Sequence, residues 1–199
     1  MKSAAGYFSL LLIFAFANFA QAQKPVANKD LPNFYQINSN LYRGGQPTEA
    51  GVKELAKIGV KTIIDLRGGE KVARRERLWV EKAGIRFIVV NLSNWFKPKT
   101  ADINQILQII DVAENKPVYV HCRRGANRTG TVIAAYRISR DNWTAKQANR
   151  EAKKFGHGWW QVWMKDFIED YEKEEKSVQS QKSTSILNFE FVTFNSKKL

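Results

Sequence analysis

The apolar positions of this chain follow two different periods. Phe34–Ile37, Leu41–Arg43, Val60–Leu66, Ile85–Asn91 and Pro117–Val120 are short runs rich in β-branched and aromatic residues. Asn, Gly and Pro bound them, so they predict strands. Between them the apolar residues recur at helical spacing. Thr48 is placed to cap a helix running to about Ile58, which Gly59 stops. Residues 70–83 predict a charged helix with Val72, Leu78, Trp79 and Ala83 as its buried stripe. Thr100 is placed to cap a helix whose Ile103, Ile106, Leu107 and Ile110 share one face. An apolar helix is predicted from Thr129 to about Arg140, and Thr144 with Gln147 forms a capping box for the next. Residues 159–175 predict a last helix, with Trp159, Trp160, Trp163 and Phe167 on or near one face and more suited to core packing than to ligand contact.

Strands that alternate with helices, followed by a run of helices, predict an α/β fold. Its centre is a largely parallel sheet of four to five strands flanked by helices. This domain is expected over residues 23–175. Residues 176–184 are rich in Ser, Gln and Lys and read as a polar linker. Ile186, Phe189, Phe191 and Phe194 then alternate weakly, as either an edge strand or a tail would.

The first 22 residues have a different character. Lys2 precedes a long uncharged apolar run that ends in Ala20-Gln21-Ala22, the pattern of a cleaved signal peptide. A periplasmic or secreted location is therefore expected, the alternative being retention as an uncleaved anchor. No later apolar run is long enough to span a bilayer, so no integral membrane segment is expected after cleavage.

Charge and composition narrow the chemistry. Lys and Arg number 32 against 19 Asp and Glu, a net charge of +13, which predicts an anionic partner. The single cysteine excludes an intramolecular disulfide and a Cys-rich zinc site, and two histidines give little basis for a His-based metal cluster. No recognised nucleic-acid motif accompanies the basic charge, so no nucleic acid is expected as a partner.

The stretch that carries chemistry is Val118-Tyr119-Val120-His121-Cys122-Arg123-Arg124-Gly125-Ala126-Asn127-Arg128-Thr129-Gly130. It reads as strand, loop and helix, with the cysteine at the carboxyl end of the strand, where open α/β sheets bind ligands. A loop this short can curl so that Arg123, Arg124, Gly125, Ala126 and Asn127 turn their N–H groups inward, as an anion nest above the helix N-terminus. Arg128 supplies a planar fork for two phosphate oxygens. The same field acidifies the Cys122 thiol, and a fall of two units from ~8.5 requires only ~2.7 kcal/mol. The resulting thiolate is a nucleophile aimed at bound phosphorus. Thr129 is placed to hydrogen-bond the sulfur, and His121 to orient the loop through backbone contacts.

Histidine-cysteine, five residues, then arginine-threonine resembles the signature of the protein tyrosine phosphatase superfamily. Leu41-Tyr42-Arg43-Gly44-Gly45-Gln46-Pro47 and Ile64-Asp65-Leu66-Arg67 are similar to segments of bacterial and fungal atypical dual-specificity phosphatases. The resemblance covers roughly residues 33–172. It implies Cys122 as nucleophile, Arg128 as phosphate clamp, Thr129 as an aid to hydrolysis of a phosphocysteine, and no cofactor. It also implies a general acid, usually an aspartic acid in the loop after the preceding strand. That loop, Asn91–Pro98, holds no carboxylate, and Asn127 occupies an alternative acid position before the arginine. Asp102, in the first turn of the next predicted helix, is the nearest candidate. Asp65 is expected to hydrogen-bond the backbone or Arg67 instead, and His157, between two glycines, to be structural or exposed.

Arg123 and Arg124 are either solvated charges or readers of further anionic groups, and Trp95 lies in the loop expected to border the site. The expected partner is a phosphorylated small molecule, lipid or phosphoprotein. Two other functions compete with a phosphatase. A phospho-ligand-binding protein with little turnover would account for the missing acid, and a rhodanese-like sulfurtransferase would also place a thiolate in an anion-binding loop. The sequence is silent on oligomeric state.

Overall fold

A computed structural model describes residues 28–156, 158 and 162–196. The expected signal peptide and Trp159, Trp160 and His157 lie outside these residues. Five strands, β1 (Tyr35–Asn38), β2 (Leu41–Gly45), β3 (Thr62–Asp65), β4 (Arg86–Val89) and β5 (Val118–Cys122), form one sheet in the order β1-β2-β5-β3-β4. β1 pairs antiparallel with β2, and every other pairing is parallel. The α/β expectation therefore holds, and β5, which carries the cysteine, is the central strand.

Six helices cover the sheet: α1 (Glu49–Lys57), α2 (Glu70–Lys82), α3 (Thr100–Asp111), α4 (Asn127–Asp141), α5 (Ala145–Lys154) and α6 (Val162–Ser196). Side-chain alternation along β5 divides the core. Val118, Val120 and Cys122 join α3, α4, α5 and α6 in one apolar cluster, whereas Tyr119 joins α1 and α2 in the other. This is what period 2 gives when both faces of a strand are buried. Thr48 caps α1 through Gly51 N–H, and the Thr144–Gln147 capping box opens α5.

Three sequence expectations are corrected. The stripe of α2 is out of phase: Val72 is 55% and Leu78 63% exposed, while the helix buries Ala73, Glu76 and Val80. Trp79 and Ala83 pack only at the edge of the core. The face that turns inward is selected by Glu76, which ion-pairs inside the protein. Thr100 is the first residue of α3, and Lys99 precedes it without a side-chain cap. Finally, the expected linker over 176–184 and the candidate edge strand beyond it continue α6 to Ser196. Residues 162–196 contain neither Gly nor Pro. An i,i+4 pair joins Lys176 to Glu172 at 2.6 Å, so nothing breaks the helix where composition suggested a linker. No helix among the described residues is long and apolar enough to cross a membrane.

Candidate active site

β5 delivers Cys122 to the carboxyl edge of the sheet, and the chain turns within four residues into α4. The turn requires glycine at position 125, where φ is +71° and a Cβ would fall 2.4 Å from the Gly44 carbonyl carbon. The loop curls round the sulfur as expected. Burial pushes the Cys122 thiol up, but hydrogen bonds from the Thr129 hydroxyl and N–H, the charge of Arg128 and the Gly125 N–H outweigh it. The thiol lies below its ordinary value, and Cys122, only 3% exposed, still lines an open cavity. The Thr129 hydroxyl has one proton to give, and the Gly44 carbonyl, 3.4 Å away, competes with the sulfur for it.

The cavity measures about 330 Å³ and is lined by Asn94, Cys122, Arg123, Arg124, Asn127 and Arg128. Arg128 is steered over it by two carbonyls from the segments that follow β3 and β4, Leu66 O at 3.3 Å and Leu92 O at 3.5 Å from Nη1. The buried Asn127 side chain is fixed by the Gly158 N–H, which donates to its Oδ1 at 3.0 Å. Gly125 and Ala126 are buried, and Gly125 contributes its N–H to the sulfur. Arg123 and Arg124 are exposed at the rim. Trp95, 80% exposed, follows the cavity residue Asn94, and its N–H and that of Phe96 are held by Ser93 Oγ.

The structure does not bring Asp102 into this lining. Its carboxylate sits in the first turn of α3, where it complements the helix dipole, and its N–H bonds the Lys99 carbonyl. Among the described residues, none that lines the cavity is a carboxylic acid. Asp65 is committed elsewhere, as expected. Its Oδ1 accepts from Arg67 N–H at 2.9 Å and Nε at 2.8 Å, and its Oδ2 from Nη2 at 2.7 Å. Burial raises the Asp65 carboxyl, but Arg67 and His121 outweigh it and hold it below the usual range, so it is ionised at neutral pH.

Behind the loop lies a network that sequence reasoning missed. Glu76 Oε2 meets Arg67 Nη2 at 2.6 Å, and its Oε1 meets His121 Nε2 at 2.9 Å. Burial lowers His121, yet Glu76 and Asp65 prevail and favour its protonated form. Ligand atoms of Asp65, Glu76 and His121 lie within 4.8 Å of one another, but the Arg67 guanidinium already bonds both carboxylates there. The cluster is a charge network. Arg43, at 0% exposed, is the other buried charge, and burial pulls it down to about 10. Its one signal in the sequence was its place in the quoted Leu41–Pro47 segment.

Comparison with known proteins gives a consistent result. A family described as "PTP-NADK: DSP-PTPase phosphatase fused to NAD+ Kinase" matches residues 13–192. The chain is 31% identical over 128 residues to the dual specificity protein phosphatase TpbA of Pseudomonas aeruginosa strain UCBPP-PA14, covering 63% of this chain and 56% of that protein. It thus spans little more than half of that relative's length. The crystal structure of a cysteine-to-serine form of P. aeruginosa TpbA with phosphotyrosine superimposes with a TM-score of 0.62 at 24% identity, covering 78% of this chain and 94% of that one. The catalytic core of the PP-IP phosphatase Siw14 from S. cerevisiae, with citrate, gives 0.66 at 24% identity over 77% and 94%. Both share this fold.

Proposed function

The chain belongs to the dual-specificity-type tyrosine phosphatase family described as fused to NAD+ kinase, and from that premise we propose that it hydrolyses phosphomonoesters through a phosphocysteine intermediate. One observation carries this reading. A buried, acidified sulfur opens onto a cavity that an arginine fork overhangs.

In the first step the Cys122 thiolate attacks phosphorus, forming a P–S bond as the ester P–O bond breaks. The three non-bridging oxygens rest on loop N–H groups and on Arg128, which act where charge is held in the transition state. In the second step water attacks phosphorus and the P–S bond breaks, releasing inorganic phosphate. Thr129, which donates to the sulfur, stabilises the departing thiolate. Because no carboxylic acid lines the cavity, the alkoxide or phenoxide that leaves in the first step takes its proton from water. Turnover then favours leaving groups of low basicity, such as aryl phosphates, over alkyl phosphates.

Three arginines in the lining suit substrates with more negative charge than one phosphate. Phosphotyrosine, named with TpbA, and inositol phosphates, named with Siw14, are the two classes to test first, with phosphoinositides and other phospholipids next. The absence of an acid also supports a second reading, a protein that captures phosphorylated ligands and turns them over slowly. Residues 1–22 act as a cleaved signal peptide in this proposal and place the enzyme in the periplasm or outside the cell, which N-terminal sequencing of the exported protein tests.

The purified protein hydrolyses p-nitrophenyl phosphate in the presence of a chelator, vanadate inhibits it, and Cys122→Ser abolishes the activity. Full activity in Cys122→Ser overturns the mechanism. Tight phospho-ligand binding with no burst of product selects the capture reading, and thiosulfate:cyanide activity would indicate a sulfurtransferase.

A further inference from the structure

Arg43 is fully buried in the middle of β2 and has no part in the chemistry described so far. Its Nη2 donates to the Gly125 carbonyl at 2.5 Å, and its Cζ lies 3.8 Å from the centre of the Phe155 ring. Nε and Nη1 have no hydrogen-bond partner among the described residues. A buried guanidinium with so few bonds is costly, and an apolar side chain would fill the space at less expense. The charge and the one strong bond therefore point to a task, and the bond lands on the phosphate loop itself.

The geometry of that bond is specific. A trans peptide carries its C=O and N–H on opposite sides. Drawing the Gly125 oxygen back toward Arg43 turns the Ala126 N–H to the opposite side, away from Arg43. The rest of β2 reinforces the hold. A Cβ at Gly45 would fall 3.1 Å from the Arg124 carbonyl carbon, so the two backbones touch, and Gln46 N–H donates to Arg123 O at 3.2 Å. The charged and titratable groups that act on Arg43 are Glu151, Cys122, Tyr119 and Arg137, from α5, β5 and α4. The interaction between Arg43 and Cys122 is reciprocal, so the cation favours the thiolate as the thiolate favours the cation. Arg128, Arg67 and Tyr119 are the other charged or titratable groups that act on that sulfur.

We propose that Arg43 is a positioning residue of the phosphate loop: from behind, it anchors the Gly125 carbonyl so that the Ala126 N–H stays aimed into the anion cradle, and its charge favours the Cys122 thiolate. The inference rests on the phosphatase reading for what the cradle binds, but the thiol reports on it without turnover.

The test uses iodoacetamide alkylation of the chain's one cysteine against pH, in wild type, Arg43→Lys and Arg43→Met. Lysine keeps the charge but lacks the planar fork that lets one side chain lie on Phe155 and reach Gly125 O. The alkylation midpoint rises in the order wild type, Lys, Met, by about one pH unit for Met. The vanadate inhibition constant rises in the same order, by about tenfold for Met. Near-UV circular dichroism checks that each variant is folded. A folded Arg43→Met with the wild-type midpoint and the wild-type vanadate constant overturns the proposal. Should Arg43→Met fail to fold, Arg43→Lys decides alone, and a folded Lys variant indistinguishable from wild type overturns it. An active Cys122→Ser would sink the phosphatase reading while leaving the alkylation result interpretable.

Discussion

The phosphate loop has two sides of opposite construction. In front, Arg123 and Arg124 are exposed and Arg128 reaches over an open cavity. Behind, Arg43, Asp65, Glu76 and His121 are buried, and Arg67 is nearly so. Water solvates Arg123 and Arg124 in front, while Arg128 is held over the cavity by Leu66 O and Leu92 O. Charges behind have lost water, and Asp65, Arg67, Glu76 and His121 satisfy one another. A receptive face thus stands on a base in which Asp65, Arg67, Glu76 and His121 pair with one another. The comparison teaches that damage in front should appear in catalysis, damage to the paired charges behind in stability, and damage to Arg43 in the thiol itself, and five expected outcomes can sharpen or break that division.

The largest effect belongs behind the loop. Glu76→Ala removes the acceptor shared by Arg67 and His121, leaving buried charge with fewer partners. Urea denaturation should show a loss of about 3–5 kcal/mol. A loss below 1 kcal/mol would show that the network relaxes at little cost. Next comes Arg128→Lys in front. It keeps a charge but not the fork, and kcat/KM for p-nitrophenyl phosphate falls about 10²-fold or more with stability near wild type. Equal damage to stability would erase the distinction between the two sides.

The third outcome is a pH dependence that originates behind. Burial lowers the His121 value but Glu76 and Asp65 carry it above the ordinary one. A group raised on folding contributes stability that is fully present below its unfolded value, ~6.5, and is lost as pH rises through the folded value. Unfolding free energy should therefore fall on the alkaline side of that window, and His121→Gln should flatten the fall. Asp65, held low, acts with the opposite sign: its contribution is present above ~3.9 and disappears as pH drops through its folded value. The smallest effects are expected at the rim. Arg123→Ala or Arg124→Ala weakens a multiply phosphorylated substrate by about fivefold, an effect that salt erodes. Asp102→Asn leaves the pH–rate profile of an aryl phosphate unchanged, and loss of one limb would restore Asp102 as the acid.

The sequence was informative wherever chemistry is written in consecutive residues. His121-Cys122 to Arg128-Thr129 is a local spacing, and a strand-loop-helix pattern already implies where sulfur, amides and arginine meet. It was misleading wherever a side chain's partner lies far along the chain. Val72 and Leu78 look like a core stripe, but α2 turns Glu76 inward because Arg67 and His121 wait there. Arg43 is one position of a predicted strand until Gly125 and Phe155 are seen around it. Over 176–184 composition suggested a linker, whereas backbone propensity without Gly or Pro lets α6 continue.

By itself, then, the sequence determined the alternating α/β architecture, the loop that follows β5, and that Cys122 and Arg128 meet at that loop. Each depends on periodicity or on spacing within a dozen residues, which the chain order fixes. The tertiary structure alone decided that Asp102 stays out of the cavity lining, that Glu76 faces inward, and that Arg43 backs the loop from β2. Those outcomes depend on which distant groups must share a dry interior, and buried charge pairs across space rather than along the chain.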